Sequence, residues 1–84
     1  MVTNKNWFVY MLRCADHSLY TGVTTDLERR LKEHNAVKSV TRYTRARQPV
    51  SLVYHEVVSS RTSACKREAQ IKKLTRAQKE ILIK

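Results

Sequence analysis

The sequence predicts an α+β domain, and three observations carry that expectation. An apolar run rich in aromatic and β-branched residues opens the chain, a second run of strand character lies past its middle, and helix-start residues follow each strand region. With 84 residues and 42% hydrophobic content the chain can bury one modest core, so residues 1–84 read as a single domain.

Residues 7–14, WFVYMLRC, are continuously apolar and suit a central strand covered on both faces. ADHS is a polar turn and SLYTGV a second short strand, so the first quarter of the chain reads as a hairpin. Thr25 followed by Glu28 has capping-box spacing and predicts a helix running to about Asn35. Residues 36–48 contain no acid and carry Lys38, Arg42, Arg45 and Arg47; within them TRYTRAR suits a short helical turn, ended before Pro49. VSLVYHEVV, residues 50–58, reads as a third strand. Ser59 and Ser60 can cap a helix over 62–74, and Thr75 can start a terminal helix through Leu82.

Lys and Arg number 17 against 7 Asp and Glu, a formal charge of +10. That excess exceeds what solubility requires and points to a polyanion, most simply nucleic acid, with a solvated basic surface or an anionic membrane surface as competitors. Nine of the cations are arginines, the better phosphate fork. Cys14 and Cys65 are far apart with no partner at metal-ligand spacing, which argues against structural zinc and a disulfide framework. MVTNKNW lacks an apolar leader, and no apolar run approaches the roughly 20 residues of a membrane span. The expectation is a soluble, cytoplasmic protein in a reducing compartment, with no membrane contact.

On a helix beginning near Thr25, Leu27, Arg30, Leu31 and His34 share a face while Arg29 points away. Periodicity alone favours an ion-pair role for Arg30 and a satisfied, partly buried histidine at His34. Glu68 lies on the face marked by Ala64 and Ile71, where a carboxylate needs a cation or a metal. Tyr10 and Tyr20 face opposite sides of the hairpin if its loop has two residues, and the same side if it has three or a bulge. Gly22, the only glycine, marks the strand exit where the backbone must turn or approach something closely.

The ordered set Phe8-Val9-Tyr10, Tyr20-Thr21-Gly22, a helix carrying Arg30 with His34 one turn on, and a late helix carrying Glu68 resembles the GIY-YIG nuclease domain, specifically its small stand-alone bacterial members. The resemblance covers nearly the whole chain. It implies an α/β sandwich, a three-stranded antiparallel sheet flanked by helices, with a site on one sheet face that hydrolyses DNA phosphodiesters. By position, Glu68 would hold Mg2+ or Mn2+, Arg30 would stabilise the scissile phosphate, and Tyr10 and Tyr20 would orient or deprotonate the attacking water. His34 matches a position that assists in some members, and Gly22 would shape the site beside the phosphate.

One carboxylate is thin ligation, which fits a cation held mainly by waters and phosphate oxygens. Two positions depart from the pattern: Phe8 replaces the first motif's glycine, and Val23 stands where many relatives carry a basic residue. The expected function is a metal-dependent DNA endonuclease with no obligate protein partner, its basic segment from Lys38 to Arg47 tracking the backbone and Tyr43 free to stack on a base. RNA is a further candidate ligand. The competing readings are a non-catalytic nucleic-acid-binding module on the same fold and, more remotely, a basic ribosome-associated protein.

Overall fold

The computed structural model describes residues 6–39 and 41–84. The leader expectation rests partly on residues 1–5, which lie outside them. In chain order the elements are β1 (Trp7–Arg13), β2 (Leu19–Thr24), α1 (Leu27–His34), α2 (Arg42–Arg45), β3 (Ser51–Val58), α3 (Arg61–Lys72) and α4 (Arg76–Ile83). The strands form an antiparallel sheet in the order β2-β1-β3, so the apolar WFVYMLR strand is central, as its composition predicts.

The hairpin loop has three residues. Cys14 N–H donates to Ser18 O at 2.9 Å and His17 N–H to Cys14 O at 2.9 Å, leaving Ala15, Asp16 and His17 in the turn. His17 takes the left-handed position, φ 69°, that such loops need and glycine commonly fills. Asp16 Oδ1 steadies the loop by accepting from the Ser18 amide at 3.0 Å. Tyr10 therefore pairs with Gly22 and Leu12 with Tyr20. Of the two registers open in the sequence, the structure takes the one that puts both tyrosines on one face.

The sheet separates two cores. Val9 and Met11 face α3 and α4, where they meet Ala64 and Ile71 with Val23, Val53, Tyr54, Leu82 and Ile83 around them. Tyr10, Leu12 and Cys14 face the other way, toward Val50, Tyr20, Leu27, Leu31, Tyr43 and Leu52. A register shift between Met11 and Leu12 in the β1–β3 pairing lets Val53 and Tyr54 both serve the first core while Leu52 serves the second.

The helix starts show where local chemistry is decisive. The capping box expected at Thr25 is not formed: Asp26 is the N-cap of α1, its Oδ1 accepting from Arg29 N–H at 3.0 Å. Asp26 wins because Thr24 Oγ1 accepts the Asp26 amide at 3.1 Å, fixing the residue in extended geometry ahead of the helix. The other starts follow the sequence. Thr41 caps α2, Ser60 caps α3, and Thr75 with Gln78 forms a complete capping box on α4. No helix among the described residues is long and apolar enough to cross a membrane.

Candidate active site at the edge of the sheet

Tyr10 is 2% exposed, and its ring runs from central β1 across edge strand β2. It can do so because its partner is glycine: a Cβ at position 22 would lie 2.6 Å from Tyr10 Oη and 2.7 Å from Cζ. Gly22 lies within β2, not at a strand exit, and its φ is not in the left-handed region. What approaches its backbone is the Tyr10 ring, so the value of this glycine is space for the phenol and not conformational freedom.

At the end of that passage Tyr10 Oη meets two groups from α1. Arg30 Nε donates to it at 3.4 Å, and His34 Nε2 lies at 2.8 Å. Arg30 and His34 are one turn apart, which aims both at one point on the sheet. Arg30 Nη1 also donates to Glu33 Oε1 at 3.1 Å, so the ion pair favoured by periodicity exists alongside the contact with Tyr10. His34 is fully buried, and its Nδ1 lies 2.9 Å from Thr44 Oγ1 on α2. The Tyr20 ring stands edge-on to His34, centroids 5.1 Å apart, on the same face as Tyr10.

Burial sets the protonation states. It pushes the Tyr10 hydroxyl up to about 12, against the opposing hydrogen bond and charge of Arg30. It pushes His34 down to about 4, helped by the Arg30 charge. Both groups are neutral at pH 7.

Glu68 arrives from the other side of the sheet. Arg67 turns toward β3, donating through Nε to Glu56 at 3.0 Å. Glu68, one residue on, is half-buried on the same helix. Its carboxylate pairs with Lys72 at 3.2 Å, and its charge contributes to raising the Tyr10 hydroxyl. The structure thus brings Tyr10, Tyr20, Arg30 and His34 together on one face of the sheet, while Glu68 sits on α3, which packs against the other face.

An open cleft of about 310 Å³ adjoins this edge, lined by Trp7, Val23, Thr24, Thr25, Arg29, Arg30 and Arg61. Three arginines and no acid line it, which suits an anion. Arg61 opens α3, whose first turn holds no acid, an unfavourable place for a cation next to the positive end of the helix dipole. Sequence reasoning missed Arg61; a cation where a helix start favours Asp or Glu was the available signal. Val23 packs into the α3 side of the sheet and lines the same cleft.

The basic segment divides. Lys38, Arg42 and Arg45 are exposed, and among the described residues none has an acidic partner. Arg47 is occupied: its Nε donates to Asp16 Oδ2 at 2.9 Å, its Nη1 to Tyr43 O at 3.0 Å, and its guanidinium covers the Tyr43 ring at 4.0 Å. Tyr43 lies between Arg47 and Tyr20, 5.7 Å from the latter's ring. Tyr43 and Arg47, expected to meet nucleic acid, are thus already engaged within the protein and tie α2 to the hairpin, the acid-free segment finding a counterion in the loop at Asp16.

The family profile described as the GIY-YIG catalytic domain matches residues 6–81. The chain belongs to the GIY-YIG family. Among its similar relatives, a UPF0213 protein of Desulfotalea psychrophila is 51% identical over 78 residues, covering 93% of this chain and 71% of that protein. A UPF0213 protein of Syntrophus aciditrophicus is 53% identical over 81 residues, covering 96% and 92%. The solution NMR structure of a UPF0213 protein from Bacillus halodurans superposes with a TM-score of 0.59 at 44% identity, covering 93% of this chain and 82% of that one. That of a protein from E. faecalis gives 0.62 at 40% identity, covering 98% and 88%.

GIY-YIG nucleases generally depend on a divalent metal, and the donors near this edge bear on whether one fits. Among the described residues no three His, Cys, Asp or Glu side chains form a chelating group. Glu68 is a single hard oxygen donor. The Thr21 hydroxyl, buried on the α3-facing side of β2, has no hydrogen-bond partner and can accept a water. This donor set fits magnesium or manganese retaining most of its water shell, and does not fit structural zinc.

Proposed function

We propose that residues 1–84 form a single-domain, metal-dependent endonuclease that hydrolyses phosphodiester bonds, with DNA as the principal substrate. The observation that carries this reading is the position of Tyr10 Oη, cleared by Gly22 and bonded to Arg30 Nε at 3.4 Å and His34 Nε2 at 2.8 Å at the sheet edge that Glu68 also approaches. A structural tyrosine needs neither a cleared passage nor a neutral histidine behind it.

Glu68 would hold the Mg2+ or Mn2+, which when bound supplies electrostatic stabilisation to the phosphate oxygens and acidifies water. The Arg30 guanidinium supplies a fixed fork to the scissile phosphate. Tyr10 accepts a proton from the attacking water while passing its own to His34 Nε2; the hydroxide forms the new P–O bond as the bond from phosphorus to the leaving oxygen breaks, and solvent water protonates the departing alkoxide. Tyr10 at about 12 and His34 at about 4 make this transfer unfavourable in the free protein. A bound phosphate offsets the Arg30 charge that depresses His34, so substrate binding itself favours the histidine as acceptor. Tyr20, packed edge-on against His34, orients the ring and the water. Lys38, Arg42 and Arg45 follow the backbone on the α2 side, while Arg29 and Arg61 receive phosphates on the cleft side.

The test is cleavage of a panel of single-stranded, duplex, branched and damaged DNAs with Mg2+ or Mn2+. Glu68→Ala and Arg30→Ala are each expected to lower turnover about 10²-fold or more while DNA is still bound. Equal residual cleavage by both variants and the native chain would mark a contaminant and leave the alternative, a binding module on a nuclease fold. That alternative has no use for a carboxylate directed at the phosphates, which is why the enzyme is preferred.

A further inference from the structure

We propose that Thr44 is a positioning residue that holds the His34 proton on Nδ1, leaving Nε2 as the acceptor for Tyr10, and that this setting is carried by the short basic helix α2. The catalytic consequence rests on the nuclease reading; the tautomer does not.

The assignment follows from counting donors along one buried chain. Arg30 can only donate, and its Nε points at Tyr10 Oη at 3.4 Å. With a lone pair of Oη engaged there, the phenolic proton is free to go to His34 Nε2, 2.8 Å away. A neutral imidazole that accepts at Nε2 donates at Nδ1, and the atom waiting 2.9 Å from Nδ1 is Thr44 Oγ1. Thr44 is fully buried, and its own proton passes on, because Ser39 Oγ lies at 2.6 Å and Thr41 Oγ1 at 2.7 Å. A hydroxyl is the group that can take the imidazole proton and still dispose of its own.

The three hydroxyls do more than complete a network. Thr44 lies on the inner side of α2, a four-residue helix whose Arg42 and Arg45 face solvent without an acidic partner among the described residues. Arg47, just beyond, ties the same segment to Asp16 at 2.9 Å. A backbone phosphate drawn to Arg42 or Arg45 pulls on the helix that fixes the histidine, so nucleic-acid contact and the direction of the proton chain share one rigid element.

Long-range ¹H–¹⁵N spectra of His34 in the metal-free, DNA-free protein test the tautomer directly. The Nδ1–H form is expected in the native chain and in Thr44→Ser, with a shift toward Nε2–H in the near-isosteric Thr44→Val. In cleavage assays Thr44→Val is expected to lower kcat about tenfold or more with DNA affinity unchanged, and Thr44→Ser to restore it. A native His34 found as Nε2–H overturns the proposal whether or not any variant folds, as do ring-nitrogen shifts in Thr44→Val identical to the native ones. The expected tautomer in a protein that cleaves no DNA would uphold the positioning assignment and sink the nuclease reading alone.

Discussion

Both faces of the sheet bury an apolar core, and one of them buries a polar network as well. Toward α3 and α4 the buried set is Val9, Met11, Ala64 and Ile71, with Thr21 beside them. Toward α1 and α2 it includes Tyr10, His34, Ser39 and Thr44, whose polar atoms are linked to one another or to Arg30. Apolar burial stabilises at roughly 25 cal/mol per Å², whereas a buried polar network must first offset its own desolvation and rigidifies the core only when every member is satisfied. Both faces therefore supply apolar stability, and the α1 face adds a hydrogen-bonded network that fixes the Tyr10 and His34 side chains.

The largest expected effect breaks the face toward α3. Ile71→Ala removes a fully buried side chain from the α3 core and should destabilise by about 2–5 kcal/mol, a large share of the ~5–15 kcal/mol typical of a domain. Urea unfolding measures the loss. A loss below about 1 kcal/mol would show that α3 does not depend on this contact for its packing.

Acid titration probes the face toward α1. His34 ionises at about 4 when folded and near 6.5 when unfolded, so between those values the unfolded chain takes up a proton that the folded chain refuses. The contribution is complete above about pH 6.5, falls as pH drops, and is gone below about 4; the interval corresponds to roughly 3 kcal/mol. Glu80, held down to about 2 by the hydrogen bonds of Arg13, loses its contribution in a lower window, so the two limbs separate. A His34→Phe variant should lack the upper limb. Equal unfolding free energies at pH 7 and pH 4 in the native chain would show that His34 is not buried neutral.

How much of this was legible depends on whether the deciding contact is local. Strands, caps at Ser60 and Thr75, and the helical turn at TRYTR follow from near neighbours and were readable. Asp26 displaced Thr25 as a cap because a side chain two residues back, Thr24, fixed its backbone, a detail propensity does not weigh. The facing of Tyr10 and Tyr20 rested on one residue of loop length, settled only when His17 adopts positive φ without being glycine. Thr44 was invisible as a site residue: nothing near it in the chain announces a bond to a histidine ten residues away. Tyr43 and Arg47 looked free for want of a nearby acid, yet Asp16 lies 31 residues back.

Gly22→Ala is a smaller perturbation aimed at the boundary between the faces. Its Cβ would sit 2.6 Å from an oxygen that cannot move without breaking contacts to His34 and Arg30. Overpacking of this kind costs about 1–3 kcal/mol. Because the φ is ordinary, backbone strain adds nothing, so pairing the change with Tyr10→Phe, which removes the clashing hydroxyl, should recover part of the stability but none of the proposed activity. Additive losses in the double variant would refute the claim that Gly22 exists to clear Tyr10.

The smallest expected effects separate the arginines of one segment. Arg42→Ala and Arg45→Ala remove exposed charges without partners, so each should lower the slope of log affinity against log salt by about 0.7–0.9 for every phosphate left unneutralised, with the melting temperature nearly unchanged. Arg47→Ala should do the reverse. Its guanidinium is engaged by Asp16 at 2.9 Å and by the Tyr43 ring at 4.0 Å, so truncation loosens α2 from the hairpin and lowers stability by about 1 kcal/mol or less, with little change in salt slope. Salt titrations of binding to a short oligonucleotide, made with the metal-free protein, read the difference without requiring cleavage. If Arg47→Ala flattened the salt slope as much as Arg45→Ala, the Asp16 pair would have to open on binding, and the segment would act as one basic patch instead of a strap with a structural anchor at one end.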